Sequence, residues 1–194
     1  TYILQDLARQ YRQRPTSITT YHFLMIGMSL FDVSSSIAWI LSTLPIPEKW
    51  YGGPSGIYGA HGSTATCRTQ GFFLELGFVG STAFNASLSI FYLLVIVYSY
   101  RESQLKALRK YMIGAPVLLA LASAGIPYYT GYYIACLVPN PPIFVDTWLH
   151  VIVFSILPVC LAIMVSVGSL FIVCRFVSWH YHLVWHKMLD EVCV

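Results

Sequence analysis

Four long apolar segments constrain this chain more than any other feature of its sequence. They cover residues 21–44, 71–98, 112–133 and 148–176. Each is long enough to cross about 30 Å of hydrocarbon, which takes ~20 helical residues. The chain is 57% apolar and 10% charged, whereas soluble domains are about 25% charged. The sequence therefore predicts an all-α polytopic transmembrane helix bundle with four spans, in a single domain over residues 1–194.

The basic residues predict how the spans are oriented. Nine of the 11 Lys and Arg residues lie in the leading segment, the second connection or the tail: Arg9, Arg12, Arg14, Arg101, Lys106, Arg109, Lys110, Arg175 and Lys187. The other two connections hold only Lys49 and Arg68. Because cytosolic loops are enriched in Lys and Arg, we expect both termini of this segment in the cytosol. We expect a multi-pass protein of the plasma membrane, with the lipid bilayer as its first partner.

Two cysteines lie on the same predicted side of the membrane. Cys67 ends the first outer loop, and Cys136 opens the loop after the third span. In an oxidising compartment a disulfide can join them. This bridge is a prediction from their shared side.

Polar residues inside the spans are candidates for function, since ionisable groups in a membrane are costly. Asp32 lies in the middle of the first span, so its carboxylate must face other helices, a cation or water, or else be protonated. Ser35 can share its helix face, and Asn85 lies deep in the second span. We expect Asp32, Asn85 and Ser35 to form an intramembrane polar network, with Asp32 toward the bundle interior. The alternative is a protonated or hydrogen-bonded Asp32 that only holds helices together.

Glu75 lies nearer the predicted outer surface and is a candidate ligand-facing residue. Its alternative role is an interfacial acid whose carboxylate reaches the headgroup region. The glycines Gly71, Gly77 and Gly80 lie in the same half of the span. They would let another helix, or a ligand, approach closely.

No enzyme motif is present, and we expect no catalytic residues, no cofactor and no nucleic-acid partner. The sequence has no GxSxG, no phosphate-binding loop and no paired cysteine motif. His182 and His186 would share one helix face, but a metal site needs further ligands. We therefore expect no bound metal.

The order and spacing of several short motifs resemble the seven-transmembrane G-protein-coupled receptor superfamily, over the run from Leu24 to Cys136. Residues 27–32 are similar to the end of the second-helix pattern, which closes on aspartate. Phe91-Tyr92-Leu93-Leu94-Val95 is similar to the inner third helix of secretin-like and cyclic-AMP-receptor-like members. Gly114-Ala115-Pro116 resembles the end of a fourth-helix motif. Ile113 occupies the position where that motif has tryptophan. The aspartate–arginine–tyrosine triplet of the inner end of the third helix is absent, and Tyr100-Arg101-Glu102 is only loosely similar to it.

The resemblance implies that the four spans are helices two to five of a receptor, and that the chain is a fragment. In that family the third-helix cysteine pairs with the second outer loop, which would be Cys67 with Cys136. An extracellular ligand of unknown identity would favour one of two helix arrangements. The inner basic surface, formed by Arg101, Lys106, Arg109 and Lys110, would face a heterotrimeric G protein. Anchoring to lipid headgroups is the alternative role of these four residues.

Two other classes stay open. Four spans with cytosolic termini also fit a membrane scaffold or junction protein, although its disulfide usually lies within the first outer loop. A transporter component could use Asp32, Glu75 and Asn85 as a polar path, but the sequence shows no inverted repeat.

Overall fold

The computed structural model of the chain describes residues 19–50, 53–54, 58–130, 149 and 152–192. Its helices are α1 (Thr20–Ile40), α2 (Thr64–Ile96), α3 (Glu102–Thr130) and α4 (Leu157–Val192), and a π-helical turn, Ile152–Ile156, leads into α4. The strands β1 (Lys49–Trp50) and β2 (Gly53–Pro54) form a short antiparallel pair between α1 and α2. Four helices are long and apolar enough to cross a membrane. This confirms the predicted all-α, four-span architecture.

Polar residues cap the first turns of α1 and α2, and both helices begin before the apolar segments that predicted them. Ser63 and Thr66 form a capping box at the start of α2, seven residues before the apolar segment begins at Gly71. At α1, the Thr19 hydroxyl lies 2.8 Å from His22 Nδ1, and both residues cap that helix. Backbone N–H groups in a first helical turn lack partners within the helix. Such caps allow a helix to start in the polar region outside the hydrocarbon.

The antiparallel pair of α1 and α2 packs through glycines. A Cβ added at Gly77 would lie 2.5 Å from the Ser35 Cβ and 2.6 Å from the Phe31 carbonyl oxygen. At Gly80 it would meet the Phe31 ring, and at Gly27 the Phe84 ring. The expectation that Gly77 and Gly80 let another helix approach closely is confirmed. That close approach also brings the Phe31 and Phe84 rings to 5.5 Å between centroids.

α2 is the central helix of the bundle, in contact with α1, α3 and α4. In its most apolar stretch 44% of the residues are buried, against 11% in α1. The core lies toward the end of the bundle where α2 ends and α3 begins: Leu24, Phe84, Leu88, Phe91, Leu105 and Met112. The two ends of the bundle are therefore different, because the other end carries the loop between α1 and α2.

Candidate functional site

A large cleft lies at the end of the bundle where α1 ends and α2 begins. We call it the loop-end cleft. Its volume is about 910 Å³. It is lined by one face of α1, by the turn that follows that helix, by the segment before α2 and by one face of α2: Leu30, Val33, Ser34, Ile37, Ala38, Leu41, Leu44, Pro45, His61, Gly62, Ala65, Thr66, Thr69, Gln70 and Phe73. Ligand pockets of proteins are typically ~300–1,000 Å³, mostly apolar, with a few placed polar groups. The loop-end cleft has this size and composition.

Gln70 is the most constrained polar residue of the cleft. Its Nε2 donates hydrogen bonds to the carbonyl oxygens of Ala38, at 2.9 Å, and Ser42, at 2.8 Å. Ala38 is in the last turn of α1, where backbone acceptors lack helical partners, and Ser42 lies just beyond the end of that helix. Gln70 therefore ties the end of α1 to the first turns of α2. Any molecule in the cleft would contact both helices next to these hydrogen bonds of Gln70.

Two further side chains give the cleft polar character. Ser34 lies in its wall, and the Ser34 hydroxyl is buried with no hydrogen-bond partner among the described residues. His61 also lines the cleft and is exposed. A ligand with a polar group beside an apolar body would match this lining.

The structure places Asp32 on an uncovered flank of α1. Phe31 faces α2, and residues in an α-helix are separated by about 100°, so Asp32 lies roughly a quarter turn away. Phe23 lies about as far on the opposite side, where the Arg109 guanidinium carbon is 4.7 Å from its ring centroid. α3 therefore covers the Phe23 side, while the Asp32 side chain is exposed.

Asn85 lies on the same side of the bundle as Asp32. It follows Phe84, which packs on α1, and like Asp32 it is exposed. Because α1 and α2 run antiparallel, a quarter turn forward on each helix leads to the same side of the pair. We name this surface, with Asp32, Ser36, Phe78 and Asn85, the open flank. All four side chains are exposed.

Among Asp32, Asn85 and Ser35, the residues of the expected polar network, one hydrogen bond joins two members. The Ser35 hydroxyl donates to the Asp32 carbonyl oxygen at 3.0 Å, within one helix. Ser35 itself packs against Gly77 in the α1–α2 interface. The Asp32 carboxylate lies outside the contacts between the described helices. A network of Asp32, Asn85 and Ser35 stays a prediction.

Glu75 lies between α2 and the π-helical turn, away from the loop-end cleft. Ser155 on that turn is the hydrogen-bonding neighbour of its carboxylate. The Glu75 Oε1 atom is buried and has no hydrogen-bond partner among the described residues. π-Helical turns occur often at functional sites. Glu75 as a ligand-facing residue remains a prediction.

Cys67 is fully buried in the first turn of α2. The free thiols in the described part of the chain are Cys160 and Cys174. Cys136 lies outside the described residues, so its pairing with Cys67 stays a prediction.

The basic residues of the second connection lie in the first turns of α3 and just before it. Arg101, Lys106 and Lys110 are exposed, whereas Arg109 is half-buried against Phe23. The Lys110 ammonium lies 4.9 Å from the centroid of the Tyr111 ring. Three of the four charges are thus free to meet an anionic surface.

One structural contact at this end was not predicted from the sequence. The Oε1 atom of Glu102 accepts hydrogen bonds from the Thr20 backbone N–H, at 2.8 Å, and from the Thr20 hydroxyl, at 2.9 Å. Glu102 thereby caps α1 from a position 82 residues away in sequence. The signal in the sequence was weak: an acid at the predicted boundary, beside Arg101.

No group of three or more His, Cys, Asp and Glu side chains that could hold a metal occurs within the described ranges. In comparisons of the chain with protein-family models, with curated proteins and with solved structures, nothing matches.

Proposed function

We propose that this protein is a receptor-type membrane protein of the seven-helix class. In this proposal it binds a small ligand in the loop-end cleft and signals through a change in helix arrangement. One observation carries the proposal, namely the difference between the two ends of the bundle. A ligand-sized cleft of about 910 Å³ lies at one end, and Arg101, Lys106 and Lys110 are exposed at the other.

The composition of the cleft indicates its ligand class. Most of the lining is apolar, and Ser34, His61 and Gln70 supply the polar groups. An amphipathic small molecule would therefore fit better than an ion or a highly charged metabolite. Such a ligand would contact both α1 and α2. It would shift the equilibrium between two helix arrangements only by the difference in its affinity for them.

The open flank supports a bundle with more than these four helices. Asp32 is the costliest residue to leave against hydrocarbon, about 3 kcal/mol on insertion scales. Asn85 adds an amide on the same flank. In our proposal, further transmembrane helices cover this flank and provide polar partners for both side chains.

The predicted orientation would place the cleft outside the cell and the basic residues inside. A bridge between Cys67 and Cys136 would then fix the start of α2 to the outer loop. The exposed charges of Arg101, Lys106 and Lys110 would attract a heterotrimeric G protein, whose binding depends on electrostatic complementarity.

Cysteine labelling tests the cleft and the orientation together. Thr69 lines the cleft, and Ser99 lies in the turn at the opposite end. We expect a membrane-impermeant thiol reagent to label Thr69→Cys on intact cells, and Ser99→Cys only after permeabilisation. Long-chain alcohols and steroids serve as amphipathic probes, and at least one should slow labelling of Thr69→Cys about tenfold. Cys160, Cys174 and Cys193 are replaced by Ser in both variants, so that the introduced cysteine is the thiol that reacts.

Two results would contradict the cleft proposal. One is Thr69→Cys that stays unlabelled both on intact cells and after permeabilisation, which would mean that lipid fills the cleft; labelling only after permeabilisation would instead contradict the predicted orientation. The other is labelling that none of the amphipathic probes slows.

Nucleotide exchange on a purified heterotrimeric G protein tests the other end of the bundle. With the protein in lipid nanodiscs, Lys106→Glu should lower the exchange rate several-fold, because the charge reversal repels an acidic partner. Arg68→Glu is the matched control, since Arg68 is also exposed but lies at the loop end. Equal rates for the two variants would argue against coupling through the basic end.

A further inference from the structure

A second groove lies beside Arg175, where α4 passes the end of α2. We call it the Arg175 groove. Its volume is about 660 Å³, and it is lined by Val97 and by α4 residues that include Phe171, Ile172, Arg175 and Trp179. Val97 directly follows the last residue of α2. The loop-end cleft and the Glu75 site are at the other end of α2, so this groove is a separate feature.

The depth of the groove follows from the helix that forms it. α2 ends at Ile96, and the chain turns back into α3 at Glu102. A turn between two spans lies at the membrane boundary, because unpaired backbone groups are not tolerated in hydrocarbon. Arg175 and Val97 line the same groove, so the guanidinium is at the level of the lipid headgroups.

The lining of the groove changes in character along α4. Phe171 and Ile172, on the membrane side, are 65% and 47% exposed. One turn further are Arg175, Ser178 and Trp179, which present a cation, a hydroxyl and an indole N–H. Trp is enriched at membrane interfaces because its ring is apolar and its N–H is polar. The groove is therefore apolar toward the hydrocarbon and polar toward the headgroups.

The charge of Arg175 is not neutralised by the described part of the protein. The acidic residues whose side chains the structure describes are Asp32, Glu48, Glu75 and Glu102, and Glu102 is hydrogen-bonded to Thr20. No ion pair joins Arg175 to any of the four. Guanidinium groups bind phosphates through paired N–H donors. An anionic group from outside the protein would complete the site.

We propose that the Arg175 groove binds one anionic phospholipid. Its phosphate contacts the Arg175 guanidinium and the Ser178 hydroxyl, and one acyl chain lies along Phe171 and Ile172. Basic pockets between transmembrane helices near the headgroups are known to select such lipids. This inference does not depend on the receptor proposal, because it would hold equally for a scaffold or a transporter.

Native mass spectrometry of the full chain tests the site. The protein is released from nanodiscs that contain phosphatidylcholine with a minority of phosphatidylserine, and the retained lipids are counted. We expect the wild type to retain phosphatidylserine in preference to phosphatidylcholine. Arg175→Ala should lower that preference about fivefold, which corresponds to the ~1 kcal/mol that a basic residue near a membrane surface contributes. Arg175→Lys should keep most of it.

Lys110→Ala is the matched control. It removes one charge at the same end of the bundle, but Lys110 lies over Tyr111, outside the groove. If Lys110→Ala lowers the preference as much as Arg175→Ala, the attraction is diffuse and the proposal fails. A wild type without any preference overturns it as well.

A second variant keeps the test decisive if Arg175→Ala does not fold. Ser178→Asp introduces a negative charge one turn from Arg175, at an exposed position. It should repel the phosphate and lower the preference about fivefold, as the same ~1 kcal/mol per charge predicts. An unchanged preference in Ser178→Asp would contradict the site.

Discussion

Phe31 and Asp32 are neighbours in sequence but lie in opposite environments. Phe31 packs against Gly77, Gly80 and Phe84 of α2. Asp32 lies on the open flank, where none of the described helices covers it. The four helices alone provide all the packing partners of the Phe31 side, because the Phe31 and Phe84 rings contact each other and the glycines of the facing helix. The Asp32 side is incomplete, because a carboxylate in mid-membrane has a large cost without a polar partner.

The comparison also shows which exposed residues need an explanation. α4 exposes Leu161, Met164 and Phe171, and lipid covers such side chains without a cost. The open flank exposes Phe78 together with Asp32 and Asn85. Exposure of apolar residues is ordinary in a membrane protein. In the proposed receptor, the acid and the amide exposed on one flank mark the surface that further helices would cover.

The largest expected effect comes from the packed face. Gly77→Ala should lower the free energy of unfolding by ~2 kcal/mol, because the new methyl group meets the Phe31 carbonyl and the Ser35 backbone N–H. Gly114→Ala is the control, since a Cβ there has nothing within 4 Å. It should be neutral or stabilising by up to ~1 kcal/mol through helix propensity. Unfolding in mixed micelles measures both, and equal losses would disprove the glycine-packed interface.

The next effect concerns the cap that Glu102 forms at the N-terminus of α1. Glu102→Ala leaves the buried Thr20 N–H and hydroxyl without their acceptor. We expect a loss of about 1–2 kcal/mol in unfolding free energy. Glu48→Ala, an exposed acid at the loop end, should change it by less than ~0.5 kcal/mol. If Glu102→Ala unfolds like the wild type, the Thr20 cap contributes nothing to stability.

A smaller effect on stability distinguishes Phe31 from its neighbour Asp32. In the isolated chain, Phe31→Leu should lower the unfolding free energy by ~1 kcal/mol, through lost ring contacts with Phe84. Asp32→Leu should leave it within ~0.5 kcal/mol, because the carboxylate contacts none of the described helices. The same substitution should favour membrane insertion of α1 by about 3 kcal/mol. A large loss of bundle stability in Asp32→Leu would show that Asp32 already has a partner within this chain.

The fold was largely predictable from the sequence, since four apolar segments of sufficient length specify four helices. Their polar ends were less predictable. α3 begins at Glu102, ten residues before its apolar segment at Met112, because the chain stays helical through the basic residues near the headgroups. The contact of Glu102 with Thr20 depends on how distant helices pack, which periodicity does not encode.

The candidate sites were predictable only in part, for the same physical reason. A polar residue inside an apolar segment is evident in the sequence, so Asp32, Glu75 and Asn85 were identified. Which side of its helix each faces depends on helix packing, and the structure separates Glu75 from the other two. The loop-end cleft was not predicted, because its walls come from α1, α2 and the loop between them. No single segment of the sequence therefore contains a pattern that indicates the cleft.

The most direct test of the account is the lipid exposure of the open flank in the native membrane. The protein is expressed from its complete coding sequence, with Cys160, Cys174 and Cys193 replaced by Ser. One cysteine at a time is introduced at Ala83, Asn85 or Leu118 and carries a nitroxide label. Ala83 is buried, and Leu118 is 70% exposed. Oxygen dissolved in the hydrocarbon reports whether each label contacts lipid.

We predict low oxygen accessibility at Asn85→Cys, close to that at Ala83→Cys, and high accessibility at Leu118→Cys. That result would mean that other helices cover the open flank, as a larger receptor-type bundle requires. Accessibility at Asn85→Cys equal to that at Leu118→Cys would mean that the flank faces lipid. The central claim would then be contradicted.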